Sequence, residues 1–434
     1  MNKTRSSQHP VVILNMAYTG LGIARNLYWY GMPIVGVTAK RDIVGNHTRR
    51  AQVVFAPDSA ESPQELSDFL VQMAGRFAAK PVLFATRDQD VSFVEQFRGE
   101  LAPHYLLPIP NEGVLSLLLD KWSMAQAAQA ADIPMPVTHR LSGLDEIQQI
   151  GDRLAFPCVV KPITSSEWRG DREWKLIGQR KAFSVHSYEE LLSEYKTISQ
   201  VTPQILLQEL IPGPDSNLYT FGCYFDRNSD LKGSFFGRKL LQYPAGFGTG
   251  FVVECAAPSA VQEYSVRLLQ SLRYHGVAEC EFKLDGRDGK FKFIEANARH
   301  WDQHRLSTAC GVNLSELAYL DMCDLAVPVQ TPKRLKTTWV AEDSFLFMGG
   351  RMVLEKQISW MELLRMIRGR RVYGWFSATD PSPFLRLLGS IVRTFLQRIW
   401  HRILLSFQKT PDTRIDVVSP PASRADGSKS ATAP

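Results

Sequence analysis

The sequence predicts an α/β domain built on a parallel sheet at the N-terminus, then an α+β region of two lobes and a mixed C-terminal extension. Three observations carry this. Apolar runs alternate with helical segments through residues 10–110, the pattern of parallel strands joined by crossover helices. The middle region alternates less regularly and is richer in adjacent strands. At 434 residues the chain is also too long for one ordinary core and fits two or three domains.

The elements follow in order. "HPVVILNM" reads as a buried strand, and "TGLGIARNLYWYG" as a helix entered through a glycine turn. "PIVGVTAK", "AQVVFAPD" and "PVLFATRDQD" are three more strands. Gly20 and Gly22 form only a fragment of a dinucleotide fingerprint, and a tight strand–helix turn is favoured for them. Residues 111–131 are Ala- and Leu-rich and predict one helix, ended by Pro134 and Pro136. "FPCVVKPIT" is a buried strand carrying Lys161, residues 165–180 a polar loop, and "RKAFSVHS" a strand entered through Lys181. "PQILLQELIPGPDSN" is a strand leaving into a Gly/Pro turn. "LYTFGCYFD" and "LKGSFFGRKLLQYP" predict an antiparallel pair, followed by a glycine-rich loop and a helix over 259–275.

Composition narrows the function classes. Hydrophobic residues make up 44% and charged residues 22%, a globular balance. A formal charge of +6 suits an anionic ligand or a membrane surface and does not call for nucleic acid. The six cysteines contain no C-x-x-C pair, which predicts free thiols in a reducing cytosol. The basic start has an apolar run that breaks at Asn15, too short for a signal peptide, and no uncharged apolar run reaches 18 residues. A cytoplasmic protein is therefore expected.

The chemistry concentrates in "VAECEFKLDG" and "KFKFIEAN", two runs joined by a turn. A register setting Gly286 opposite Lys290 places Glu281 opposite Glu295 and Glu279 opposite Asn297. Directly opposed Cβ atoms lie about 4.5–5.5 Å apart, so the two carboxylates repel unless a cation lies between them. With an amide oxygen alongside, the donor set is all oxygen and suits Mg²⁺, whose shell is often completed by substrate phosphates. Arg299, two positions beyond Asn297, is placed to meet a phosphate or a developing oxyanion. A solvated hairpin is the plain alternative. Lys161 in a buried strand is costly unless paired or functional, whereas Lys121 beside Asp120 reads as a mid-helix surface lysine. His300 and His304 around Trp301 read as a polar rim rather than a general base, and no Ser–His–Asp or Cys–His set stands out.

Taken in order, "LDKW…ADIPMPVT", "FPCVVKP", "RKAFSV", "LLQELIPGPDSN" and "ECEFKLDGRDGKFKFIEANAR" resemble the signatures of the ATP-grasp superfamily, in its carboxylate–amine ligase (D-aspartate-ligase-like) branch. The resemblance covers about residues 10–325. It implies a pre-ATP-grasp domain at 1–112 and an ATP-grasp domain at 113–330, with a small lobe near 132–205 and a large lobe near 206–325. An extension at 331–382, an amphipathic helix at 383–408 and a disordered tail at 409–434 would follow. It implies ATP and Mg²⁺ as cofactors, with Mn²⁺ as an alternative metal. Lys121 and Lys161 would hold ATP phosphates and Lys181 would close over the nucleotide. Gln208, Glu209 and the backbone at Leu210 would contact adenine, and Asp215 would take the ribose. Glu281, Glu295 and Asn297 would ligate magnesium, Arg299 would face the transferred phosphate, and Lys239 would meet the γ-phosphate or the substrate carboxylate. The segment "SSEWRGDREWKLIG" has only Gly170 and Gly178 where the family carries a glycine-rich lid, so Lys175 competes with Lys181 as the lid lysine.

The implied reaction joins a small-molecule carboxylate to an amine through an acylphosphate, releasing ADP and phosphate. Three alternatives stand beside it: a degenerate nucleotide-binding regulator or scaffold, a carboxylase using bicarbonate, and a nicotinamide oxidoreductase on the N-terminal sheet. The oxidoreductase lacks the expected acid, since "VGVTAKRD" offers Lys40 and Arg41 before Asp42. The "YPAGFGTGF" loop, with Glu254, is expected at the acceptor pocket. Finally, residues 383–407 repeat apolar side chains at 384, 388, 391, 395 and 399, with Arg386, Arg393, Gln397 and His401 elsewhere. This helix is expected either to lie in a membrane interface or to pack on protein, including in a homodimer. A membrane position at the inner surface would make a lipid-linked, cell-surface or polysaccharide precursor a plausible substrate.

Overall fold

The computed structural model describes residues 9–168, 170–256 and 259–407; the tail from 409 onward lies outside the described residues. The described residues divide into two units, one ending at residue 387 and the other beginning at residue 388. All three sheets belong to the first.

Strands β1 (Val11–Leu14), β2 (Ile34–Thr38), β3 (Gln52–Phe55) and β4 (Val82–Phe84) form a parallel sheet in the order β3-β2-β1-β4. Every residue of β1 is buried, as expected of a strand covered on both faces. The G-x-G fragment answers to packing. A Cβ on Gly20 would lie 1.9 Å from the Asn15 carbonyl oxygen, and one on Gly22 would lie 2.4 Å from the His304 ring. The space that a dinucleotide pyrophosphate would need at Gly22 is taken by that imidazole.

The second sheet is antiparallel, built from β5 (Thr138–Leu141), β6 (Cys158–Lys161), β7 (Phe183–Val185) and β8 (Ile205–Glu209) in the order β5-β8-β6-β7. It has its own core around Ile147, Val160, Trp168, Leu191 and Leu207. Two expectations change here. Residues 111–131 are two helices, Val114–Leu119 and Lys121–Ala130, rather than one. Asp120 turns to an extended backbone and its side chain accepts the Ser123 N–H at 2.7 Å, an N-cap that restarts the helix. Lys121 therefore opens a helix instead of sitting mid-helix. The stretch 165–180, expected as a loop, contains the helix Asp171–Leu176.

The third sheet has seven strands: β9 (Leu218–Phe225), β10 (Leu231–Tyr243), β11 (Thr249–Cys255), β12 (Gly276–Leu284), β13 (Phe291–Asn297), β14 (Thr337–Val340) and β15 (Arg370–Tyr373). Their order is β13-β12-β9-β10-β11-β14-β15, antiparallel except for the β14–β15 pair. One core on each side joins this sheet to the parallel one: Val12 and Leu14 share a cluster with Phe221 and Phe282, and Val11 and Ile13 share another with Tyr224 and Phe235.

The extension after residue 331 locks the N-terminal domain in place. Asp380, fully buried, pairs with Arg25 at 3.0 Å and accepts from Thr48 Oγ1 (2.6 Å) and the Arg49 N–H (3.0 Å). Arg25 also donates to the carbonyls of Trp375 and Asp380. Removing one partner of a buried ion pair strands the other charge, at about 3–5 kcal/mol. Asp380→Ala is expected to lower stability by that order, read as a shift of the urea midpoint, while the same change at exposed Asp42 should move it little.

Candidate functional site

The site is assembled on the β12–β13 hairpin. Glu281 lies opposite Glu295 and Glu279 opposite Asn297. The route to that register differs from the expected one. Near the turn Leu284 pairs with Phe291, Lys283 with Lys292 and Phe282 with Phe293, one residue out of step with a Gly286–Lys290 pairing. A bulge at Ile294 absorbs the difference before the carboxylates are reached. Without it, Glu281 would face Ile294 and the acids would part.

Three carboxylates thus share one end of a sheet edge. Glu279 is 4% exposed, and burial, reinforced by Glu281, pushes its carboxyl well above the usual carboxylate range. Asn297 Nδ2 donates to Glu279 at 3.3 Å. Cations answer from three directions. Lys239 on β10 pairs with Glu281 at 2.8 Å. Burial works against the Lys239 charge, but Glu281 and Glu279 outweigh it and raise the ammonium pKa. Arg299 donates to Asp88 at 2.5 Å; burial again opposes the charge, and Asp88 with Glu279 more than compensates. Lys161 at the end of β6 feels Glu295 and Glu281, yet burial, with Lys121 nearby, brings its pKa down to about 8.

The cleft between the two antiparallel sheets is lined by Lys121, Lys161, Gln208, Thr138, Phe293 and Ile294, among others. Its cationic wall is held by polar contacts. Lys121 donates its backbone N–H to the Ile163 carbonyl (3.0 Å) and its ammonium to Ser165 (2.9 Å). Lys161 donates to Gln208 Oε1 at 2.6 Å, and Gln208 in turn donates to Thr138 at 2.9 Å. The four signals expected for nucleotide base and ribose are engaged within the chain. Besides Gln208, Glu209 accepts from Arg287 at 2.5 Å, the Leu210 N–H donates to Pro157, and Asp215 accepts from Gln242 (2.8 Å) and the Gly246 N–H (3.1 Å). Lys175, in its short helix, and Lys181, just before β7, are both exposed. Glu254 pairs with Arg238 at 3.5 Å.

The histidines overturn the polar-rim expectation. His300 and His304 are 2% and 0% exposed, and burial lowers both pKa values, that of His304 to about 4. They are neutral packing groups between the parallel sheet's first helix and the large sheet. Trp301 beside them occupies the space over Gly222, where a Cβ would come within 1.9 Å of its ring. The partners Asp88, Thr138 and Gln242 escaped the sequence reading. Asp88 alone carried a signal, a carboxylate just past the carboxyl end of a parallel strand, where such sheets place their ligand groups.

Among the described residues no three His, Cys, Asp or Glu side chains form a ready metal cluster. The hairpin instead offers two opposed carboxylates and an amide oxygen. That donor set fits Mg²⁺, which takes one or two carboxylates and leaves the remaining positions to water and phosphate.

No protein-family model matches the chain. A D-aspartate ligase from Enterococcus faecium is 23% identical over 334 residues, covering 74% of this chain and 78% of that protein. Among solved structures, a biotin carboxylase–β-γ-ATP complex from Campylobacter jejuni superposes with a TM-score of 0.59 at 17% identity, covering 74% and 72% of the two chains. An L-amino acid ligase from Bacillus licheniformis gives 0.56 at 17% identity, covering 73% and 74%. The fold is that of the ATP-grasp enzymes.

A phosphate-bearing ligand beside Lys161 would favour its charged form and return its pKa toward 10.5. If the cleft takes a phosphate-bearing ligand at Lys161, its affinity is expected to fall about tenfold between pH 7 and pH 9 as the free lysine loses its proton. Lys161→Arg should flatten that dependence. Calorimetric titration at both pH values checks it.

Proposed function

We propose that this chain, an ATP-grasp superfamily protein, is a carboxylate–amine ligase that activates its acid with ATP. The observation that carries the reading is the convergence of Lys161, Lys239 and Arg299, from three separate parts of the fold, on Glu279, Glu281 and Glu295. No nucleophile stands among them. Such a set neutralises and aligns charge, which is what phosphoryl transfer asks of a protein. The sequence similarity to a D-aspartate ligase supports an amino acid as the activated substrate.

In this reading a substrate carboxylate oxygen attacks the γ-phosphorus, the bond to the β–γ bridging oxygen breaks, and its electrons leave with ADP. The amine then attacks the acyl carbon, phosphate departs, and the amine nitrogen loses a proton. Mg²⁺ held by Glu281, Glu295 and Asn297 would supply neutralisation of the phosphate charge. Lys121 and Lys161 hold the nucleotide's phosphates, and Gln208 fixes the direction of the Lys161 ammonium. Lys181 lies on the closing lobe, and Glu209, Leu210 and Asp215 border the base and ribose. Arg299, kept charged by Asp88, meets the transferred phosphate, and Lys239 bridges Glu281 and the reacting carboxylate.

The test measures ADP release with a panel of D- and L-amino acids and bicarbonate as acids, each with and without an amine. Release that requires both an amino acid and an amine supports the ligase. Release with bicarbonate alone would establish the carboxylase, and ATP binding without turnover across the panel the scaffold. Arg299→Ala is expected to lower kcat by about 10²–10³, the usual loss on deleting one charge-stabilising donor. Glu295→Gln, nearly isosteric, should fold normally and lose Mg²⁺-dependent turnover; full activity in it would remove the metal role of the hairpin.

A further inference from the structure

The helix Ser382–Phe407 is 26 residues long and contains four arginines (Arg386, Arg393, Arg398, Arg402) and no aspartate or glutamate. Its first turn is anchored: Leu387 is 6% exposed and Phe384 meets Phe376 edge to face at 5.4 Å. The expected stripe of 384, 388, 391, 395 and 399 is therefore divided: Phe384 packs inward, whereas Leu388 and Phe395 lie on the outward face. Leu385, Val392, Phe395, Leu396 and Trp400 are 55–63% exposed, and with Leu388 they fall on one face at 100° per residue. Arg386 and Arg393, one heptad apart, border that face, while Ser390 and Thr394 lie across the helix from it. We propose that this face docks on an anionic lipid bilayer.

Charge complementarity selects the occupant. A second copy of the same helix would bring arginines against arginines, with no acid on either to pair them. Anionic headgroups supply the missing negative charge, arginines bordering an apolar stripe reach them while their stems stay with the acyl chains, and Trp400 has the side chain that favours the interface. No described helix is long and apolar enough to cross a membrane, so the helix lies in the surface plane. The first unit carries a patch of the same character. Trp360, Met361 and Leu364 are 55–64% exposed on the outer side of helix Trp360–Met366, and Arg365, Arg368, Arg370 and Arg371 follow closely. This inference is independent of the proposed catalysis.

The full chain would be sedimented with phosphatidylcholine vesicles, with and without phosphatidylglycerol. Binding should require phosphatidylglycerol and be released by salt. Arg386→Glu with Arg393→Glu should weaken it about thirtyfold or more, given the usual contribution of a surface arginine. Phe395→Ser with Trp400→Ser should also weaken it, with an unchanged circular dichroism spectrum and thermal midpoint as the check on folding. Equal binding to neutral vesicles, or binding untouched by both double variants, would overturn the proposal. So would a chain that ignores lipid but forms a dimer dissolved by Phe395→Ser with Trp400→Ser.

Discussion

Like-charge crowding at the end of one hairpin is the constraint around which the first unit is arranged. Glu279, Glu281 and Glu295 share a sheet edge where water is largely excluded, and each would destabilise the others if left alone. The chain answers with cations from far apart in sequence. Lys239 comes from β10, reaching Glu281 across the intervening β9, Lys161 from the small sheet across the cleft, and Arg299 from the segment that turns back over the large sheet. Each of these is itself desolvated. The acids and the cations therefore offset one another's burial, with Asp88 sharing in that of Arg299. A site balanced this closely responds to an incoming phosphate and metal ion more strongly than an exposed one, because little solvent stands between the charges.

Arg299 shows how the parallel sheet takes part. Its guanidinium is buried, so it needs an anion even when no ligand is bound, and Asp88 at the start of the helix after β4 provides one. That contact fixes the sheet's carboxyl edge against the large sheet. The neighbouring contacts agree: Thr19 donates to Asp302 at 2.9 Å, and the His304 ring fills the space that Gly22 leaves open. The glycine turn that looks like half of a nucleotide fingerprint is thus spent on packing one domain against the next.

The strand order within the hairpin was legible because alternation of acid and apolar residues is a local signal, and the turn between the runs is short. The bulge at Ile294 was not, since nothing in "FKFIEAN" distinguishes an extra residue from a regular one. The expected register reached the correct acid pairing from a turn pairing that is off by one residue. The break at Asp120 was legible in principle, as Asp is a favoured N-cap residue, but the Ala- and Leu-rich surroundings outweighed it. The burial of His300 and His304 was beyond reach. It depends on Gly22, more than 270 residues earlier in the chain, and histidine carries no sequence mark that separates a core position from a polar rim. The same holds for Asp380, whose partner Arg25 lies 355 residues away.

The distribution of cores decides which part can move. The parallel sheet and the seven-stranded sheet share apolar clusters on both of their faces, and the buried Arg25–Asp380 pair closes the extension over them. Separating those two would expose both clusters and strand two charges. The small antiparallel sheet has its own apolar core, and it meets the large-sheet side at the Glu209–Arg287 pair and along the lining of the cleft. A displacement there would cost less apolar burial than one between the other two sheets. Lys161, Gln208 and Lys181 belong to the small sheet or its margin, whereas Lys239, Arg299 and the acids belong to the large sheet and the segment after it. The charge balance is therefore divided between two separately packed parts, and a ligand carrying negative charge between them would meet cations from both.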